Sequence, residues 1–168
     1  MRLFLIGMMG SGKSYWGRQL HKQLKIDFFD LDECIEKELC MPISEIFSTK
    51  GEAYFRDYES EKLKTFNRYH SFILATGGGT PCFHENMEWM NAHGITVWLN
   101  ETANILAERL KKEKAHRPLV ASLSDNALQD FLERKIAERT PFYGKAKLIL
   151  EGSAICLEQL LQAAQTGG

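Results

Sequence analysis

Gly7, Gly12, Lys13 and Ser14 stand at the spacing G-x-x-x-x-G-K-S, directly behind an apolar run at residues 3–6. A glycine-rich turn between a strand and a helix can wrap closely enough to aim several backbone N–H groups at one point. The positive end of the following helix adds to them. This is a cradle for the phosphates of a nucleoside triphosphate. Lys13 can reach the β- and γ-phosphates, and the Ser14 hydroxyl can ligate Mg²⁺. The plain alternative is a turn between a core strand and a core helix; strand before and helix after favour the phosphate loop.

Asp30 and Asp32 follow a second apolar segment. Two aspartates at i and i+2 of an extended stretch share one side. Phosphoryl transfer to an alcohol needs one carboxylate near Mg²⁺ and another near the attacking hydroxyl, and this pair can divide those tasks. One of them can also cap the helix that starts near Leu31. Gly77, Gly78 and Gly79 follow a third strand. Close backbone approach to a ligand is a good reason for three glycines in a row, and a structural turn is the other reading. Arg56 lies three residues before Glu59, so Glu59 can orient its guanidinium, unless the two form only a surface pair. Arg139 sits near a helix end and could join Arg56 in gripping a carboxylate. Arg117 lies in a charged segment without clear period. A flap there can exclude water and stabilise the transferring phosphoryl, or it can be a solvated loop.

These residues need a frame. The chain has 168 residues, 44% hydrophobic and 26% charged, which suits one domain with a sizeable core. A net charge of −1 gives no general basic field for nucleic acid or an anionic membrane. An anionic substrate must be held by a few local arginines and lysines. Four cysteines and five histidines are scattered without zinc spacing. Reduced thiols, no membrane span, and a start that reads as strand rather than signal peptide lead to the expectation of a cytoplasmic protein.

Strands are expected at residues 3–6, 26–29, 71–75, 95–99 and 147–150. Helices are expected at 14–24, 31–39, 42–47, from 50 to 66, 86–92, 102–112, 125–143 and 154–164. Ser124 or Asp125 is the expected cap of the long helix. Residues 113–123 read as a loop. Short apolar strands separated by helices mean an α/β fold, a parallel sheet with helices on both faces. Ligands bind at the carboxyl ends of such strands. Those ends carry the phosphate loop, Asp30 with Asp32, and the glycine run, so the three should converge on one site.

In this order, along nearly the whole chain, the motifs resemble the shikimate kinase family. Residues 7–14 resemble its P-loop, Asp30-Leu-Asp32 its D-x-D, and Gly51-Glu52 through Arg56 its G-E-x-x-F-R. The triple glycine, Arg117-Pro118-Leu119 and Glu138-Arg139 with Tyr143 match its remaining motifs. The resemblance implies a three-layer P-loop kinase fold in one domain, residues 1–168, with a five-stranded parallel sheet in order 2-3-1-4-5. It also implies a substrate-binding region at 33–67 and a lid at 112–124. The implied reaction is ATP plus shikimate giving ADP plus shikimate 3-phosphate, a step toward aromatic amino acids. By position Gly10, Ser11, Gly12, Lys13, Ser14, Tyr15 and Arg117 hold ATP, with Lys13, Asp32 and Arg117 catalytic. Asp32, Arg56, Gly77, Gly78, Gly79 and Arg139 bind shikimate, Asp32 as the candidate base and the two arginines on the carboxylate. Ser14 and Asp30 serve Mg²⁺. A monomer without nucleic-acid or membrane partners is expected.

Three places depart from the family pattern: Tyr15 and Trp16 after Ser14, Thr80-Pro81-Cys82 after the glycines, and Phe142. Rival readings are a gluconate or nucleoside monophosphate kinase, or a non-catalytic nucleotide module. The last is disfavoured because the fourth strand ends at Leu99-Asn100 without the aspartate of a hydrolytic switch.

Overall fold

Alternation of side chains along each strand decides how the chain layers. In the computed structural model, which describes residues 1–113 and 123–165, five short strands alternate with helices. In chain order these are β1 (Arg2–Ile6), α1 (Lys13–Leu24), β2 (Phe28–Asp30), α2 (Leu31–Leu39), α3 (Ile43–Thr65), β3 (Phe72–Ala75), α4 (Asn86–His93), β4 (Ile95–Asn100), α5 (Ala103–Glu113), α6 (Asp125–Tyr143), β5 (Leu148–Glu151) and α7 (Leu157–Gln165). The strands form one sheet in order β2-β3-β1-β4-β5. Every pairing is parallel, with β1 central between β3 and β4. This is the expected order.

Because successive strand residues point to opposite faces, β1 feeds two cores. Phe4 and Ile6 join Phe72, Leu74 and Trp98 under α2 to α6. Leu3 and Leu5 join Ile73, Val97 and Leu99 under α1 and α7, where Leu20 and Leu160 close the layer. A strand buried on both faces reads as an unbroken apolar run, which is why residues 3–6 show no polar alternation. Among the described residues no helix is long and apolar enough to cross a membrane.

Two local features differ from expectation, the placement of Asp30 with Asp32 and the start of the last helix. Asp30 and Asp32 do not share one extended segment: Asp30 ends β2, and Asp32 is already the second residue of α2. The cap is Asp30, whose side chain accepts from the N–H groups of Asp32 and Glu33. The two helices expected at 42–47 and from 50 to 66 run on as α3 across a kink at Gly51, where φ 85° and ψ 164° leave the helical region. The last helix starts at Leu157, behind a 3₁₀ turn over Gly152–Ala154. The long helix is capped by Ser124, which accepts from Ala127 N at 3.3 Å. Arg117 and most of the expected lid, 112–124, lie outside the described residues.

Candidate active site

The carboxyl ends of β1, β2 and β3 open on one cleft of about 1110 Å³, lined by the phosphate loop, Asp30, Asp32, Gly77, Gly78 and Arg109. The three motifs thus meet where strand topology requires. In the loop Gly10 and Gly12 hold φ of 79° and 92°, conformations that a side chain resists. Gly12 also begins α1, so the positive end of that helix faces the cleft. The Lys13 ammonium donates to the carbonyls of Gly7 and Met8, each at 2.8 Å, which folds it back along the loop. Tyr15 is exposed on the first turn of α1, edge-on to Trp16 at 5.0 Å, and both rings line the cleft.

Asp30 uses its two oxygens for two purposes. Oδ1 caps α2, accepting from Asp32 N at 3.1 Å and Glu33 N at 3.4 Å. Oδ2 accepts from the Ser14 hydroxyl at 2.5 Å. The cap fixes the carboxylate, so Ser14 and Asp30 present adjacent hard oxygen donors. Among the described residues there is no group of three or more His, Cys, Asp or Glu that could enclose a metal. A small oxygen-donor set of this kind suits Mg²⁺, which keeps waters and phosphate oxygens for its remaining positions.

Asp32 is pushed up to about 7. Burial is the main cause; Asp30, Glu59 and Glu36 add to it, and Lys13 opposes it. A carboxylate near neutrality is suited to take a proton from a hydroxyl.

The glycine run explains itself through what lies against it. A methyl carbon on Gly77 would meet Asp32 Oδ1 at 2.8 Å and Glu59 Oε1 at 2.9 Å. On Gly78 it would meet Arg139 Nη1 at 2.8 Å. On Gly79 it would run into the guanidinium of Arg56, with Nη1 at 2.8 Å. Three successive residues therefore face Asp32, Arg139 and Arg56; a side chain at Gly77 or Gly79 would displace held groups, whereas at Gly78 only the end of Arg139 would have to shift.

The two arginines are held differently. Arg56 Nη1 donates to buried Glu59 at 2.8 Å, and Nε to Glu52 at 3.4 Å. Phe83 stacks on its guanidinium at 4.4 Å. The i, i+3 pair is thus buried, not a surface pair. Arg139 Nη1 points at the Met8 sulfur at 3.4 Å. One turn further along α6, the Tyr143 hydroxyl donates to the Gly78 carbonyl. This hydroxyl is pushed up by burial.

Arg109 is part of the cleft although its spacing did not single it out. From α5 it donates to the Gly10 carbonyl at 3.1 Å and to Glu101 at 2.7 Å. In the sequence it stands between the inward Leu106 and Leu110 and fits an arginine of the resembled pattern only with a one-residue shift.

Comparison with known proteins follows the same line. A family model described as Shikimate kinase matches residues 9–163. The chain is 38% identical over 163 residues to a shikimate kinase from Phocaeicola vulgatus, covering 97% of this chain and 93% of that one. A crystal structure of a shikimate kinase from Bacteroides thetaiotaomicron matches with TM-score 0.89 at 36% identity, covering 99% of this chain and 95% of that chain. A shikimate kinase from Acinetobacter baumannii, in complex with shikimate, matches with TM-score 0.83 at 30% identity, covering 98% and 89%.

Proposed function

The chain belongs to the shikimate kinase family of ATP-dependent kinases, and from that premise we propose how its own residues move the γ-phosphoryl of ATP to the 3-hydroxyl of shikimate. Gly10, Ser11, Gly12, Lys13, Ser14 and Tyr15 bind ATP. Backbone N–H groups and the Lys13 ammonium take the charge that builds on the phosphates during transfer. Arg117, outside the described residues, acts on the transferring phosphoryl from the lid at 112–124. Ser14 and Asp30 hold Mg²⁺, which supplies charge neutralisation on the phosphate oxygens when bound.

On the acceptor side Arg56 and Arg139 grip the shikimate carboxylate, each offering a guanidinium fork that matches it. That anchors the ring across Gly77, Gly78 and Gly79, with region 33–67 as one wall. Asp32 meets the ring hydroxyl and accepts its proton as the oxygen attacks phosphorus. The products are shikimate 3-phosphate and ADP. All of these groups come from one chain, and the enzyme works as a monomer in the cytoplasm.

The succession of Asp32, Arg139 and Arg56 against three consecutive glycines carries this reading. A carboxyl group and two guanidinium groups thus surround one stretch of backbone beside the phosphate loop. A coupled assay of ADP release tests it, with shikimate, gluconate and CMP as acceptors. Shikimate alone should support turnover, and Arg56→Ala should abolish it at ordinary substrate levels. Turnover with gluconate or CMP but not shikimate would overturn the reading.

A further inference from the structure

Behind the glycine run lies a chain of hydrogen bonds that the reaction as described leaves unused. Ser60 Oγ donates to Asn86 Oδ1 at 2.7 Å. Asn86 Nδ2 donates to the Thr80 carbonyl at 3.0 Å. The Thr80 hydroxyl donates to Glu59 Oε1 at 2.6 Å. Glu59 Oε2 receives Arg56 Nη1 at 2.8 Å. Ser60, Asn86, Thr80 and Glu59 are all buried. The Thr80 N–H is itself tied to the Gly77 carbonyl at 3.2 Å. Thr80 opens the stretch that departs from the family pattern.

We infer that Thr80 is a positioning residue of the acceptor site: its hydroxyl locks the Glu59 carboxylate so that the other oxygen presents Arg56 to the substrate. A buried carboxylate held by one donor alone can turn about its last bonds. Held by Thr80 at one oxygen and Arg56 at the other, it cannot turn without breaking a charge-assisted hydrogen bond. Thr80 is anchored at both ends of its own backbone, by Gly77 and by Asn86, so its hydroxyl is a fixed point. A point on the Cβ side of Gly77 lies 2.8 Å from Asp32 Oδ1, 2.9 Å from Glu59 Oε1 and 3.0 Å from Thr80 Oγ1. The lock therefore sits directly behind Gly77 and Asp32, which line the cleft.

Removing the hydroxyl without changing shape leaves Glu59 Oε1 buried and unsatisfied. The carboxylate then relaxes and takes Arg56 with it. This inference rests on Arg56 being the carboxylate clamp, so the experiment contains a control for that reading. Steady-state kinetics of Thr80→Val, Thr80→Ser, Arg56→Ala and the Thr80→Val/Arg56→Ala double variant separate the two. Thr80→Val should raise KM for shikimate about tenfold, more than it lowers kcat, with KM for ATP within about twofold. Thr80→Ser keeps the hydroxyl and should restore shikimate binding. In the Arg56→Ala background Thr80→Val should have no further effect on kcat/KM for shikimate, because Thr80 acts through Arg56. The inference is overturned if Thr80→Val leaves KM for shikimate unchanged while Arg56→Ala raises it. It is also overturned if Thr80→Ser is as impaired as Thr80→Val, or if the two losses add. If Arg56→Ala itself leaves shikimate binding intact, the clamp reading fails and takes this one with it.

Discussion

Replacing Gly79 by alanine moves Arg56, the proposed carboxylate clamp, without touching its charge. The backbone there has φ −89° and ψ −17°, ordinary right-handed geometry that alanine adopts freely. Strain in the chain is therefore not an issue. The added methyl would sit 2.7 Å from Arg56 Cζ and 2.8 Å from Nη1, where van der Waals contact begins near ~3.5 Å. The guanidinium must retreat by roughly 0.7 to 1 Å. Phe83 stacks on it and Glu59 holds it, so it cannot retreat along its present contacts. A displacement of about 1 Å in a positioning group costs on the order of a hundredfold in rate. Gly79→Ala should thus lower kcat/KM for shikimate about 100-fold while KM for ATP stays within about twofold. The unfolded chain loses freedom on gaining a methyl, which favours the fold by ~0.4–1 kcal/mol. The loosened Arg56–Glu59 bond opposes this by about 1–3 kcal/mol, so the net loss stays below about 3 kcal/mol. Coupled ADP-release kinetics on the purified variant, with a denaturant melt beside them, read both quantities. Wild-type shikimate kinetics in this variant would refute the placement of Arg56 at the substrate.

Three further outcomes follow from the carboxylates. Asp32 must be ionised to accept a proton, so kcat/KM for shikimate should climb as pH rises through about 7. Asp32→Asn should abolish that limb and lower kcat by about 10²-fold or more. The same shift has a stability sign. A folded-state value above the ordinary 3.8 means that the native protein holds the proton more tightly than the unfolded chain. The penalty is absent below pH 3.8, grows as pH climbs, and is complete above about pH 7. Asp32→Asn should therefore stabilise the protein more at pH 8 than at pH 5 in urea melts, by at most ~3 kcal/mol. At Asp30, asparagine keeps the side-chain oxygen that caps α2 and loses the charge beside Ser14. Asp30→Asn should leave the melting temperature nearly unchanged and shift the Mg²⁺ requirement upward about tenfold in a metal titration; an unchanged Mg²⁺ requirement would exclude Asp30 from the metal site.

Spacing alone made the phosphate loop and the sheet legible. Strands at residues 3–6, 71–75 and 95–99 are apolar on both faces, and that pattern has few other uses. The glycine run signalled a close approach, although nothing in it said that each glycine meets a different side chain. Asp30 misled because Phe28 and Phe29 continue an extended pattern up to it, whereas its own side chain starts a helix at the next residue. A cap and a strand end are the same residue there. The Ser60–Asn86–Thr80–Glu59 chain leaves no trace in local sequence. Its partners lie 21 and 26 residues apart and carry no periodicity, and only the docking of α3 against the glycine turn brings them together. Arg109 is hidden for a similar reason, since its role depends on where α5 lies against Gly10.

The unequal setting of the two arginines has a consequence for how an anion is received. Arg56 already faces Glu59 at 2.8 Å, so its charge is largely matched and its contribution is a fixed direction. Arg139 meets the Met8 sulfur and, among the described residues, pairs with no carboxylate at ion-pair distance. On the proposed reading it would bring most of the net attraction for a substrate carboxylate. Without it the acceptor wall, with Asp30, Asp32 and Glu59, would repel an acid. The raised proton affinity of Asp32 belongs to the same balance. Its neighbours Asp30 and Glu59 push it toward the neutral form, and each additional anion that arrives pushes further the same way. As the proposed base, Asp32 is thereby kept basic enough to accept a proton, at the expense of a fraction that is already protonated near neutral pH. Lys13 acts in the opposite sense, from the phosphate loop at the other side of the cleft. On the proposed roles, the loop that would hold the phosphoryl donor also tunes the carboxylate that would take the acceptor's proton.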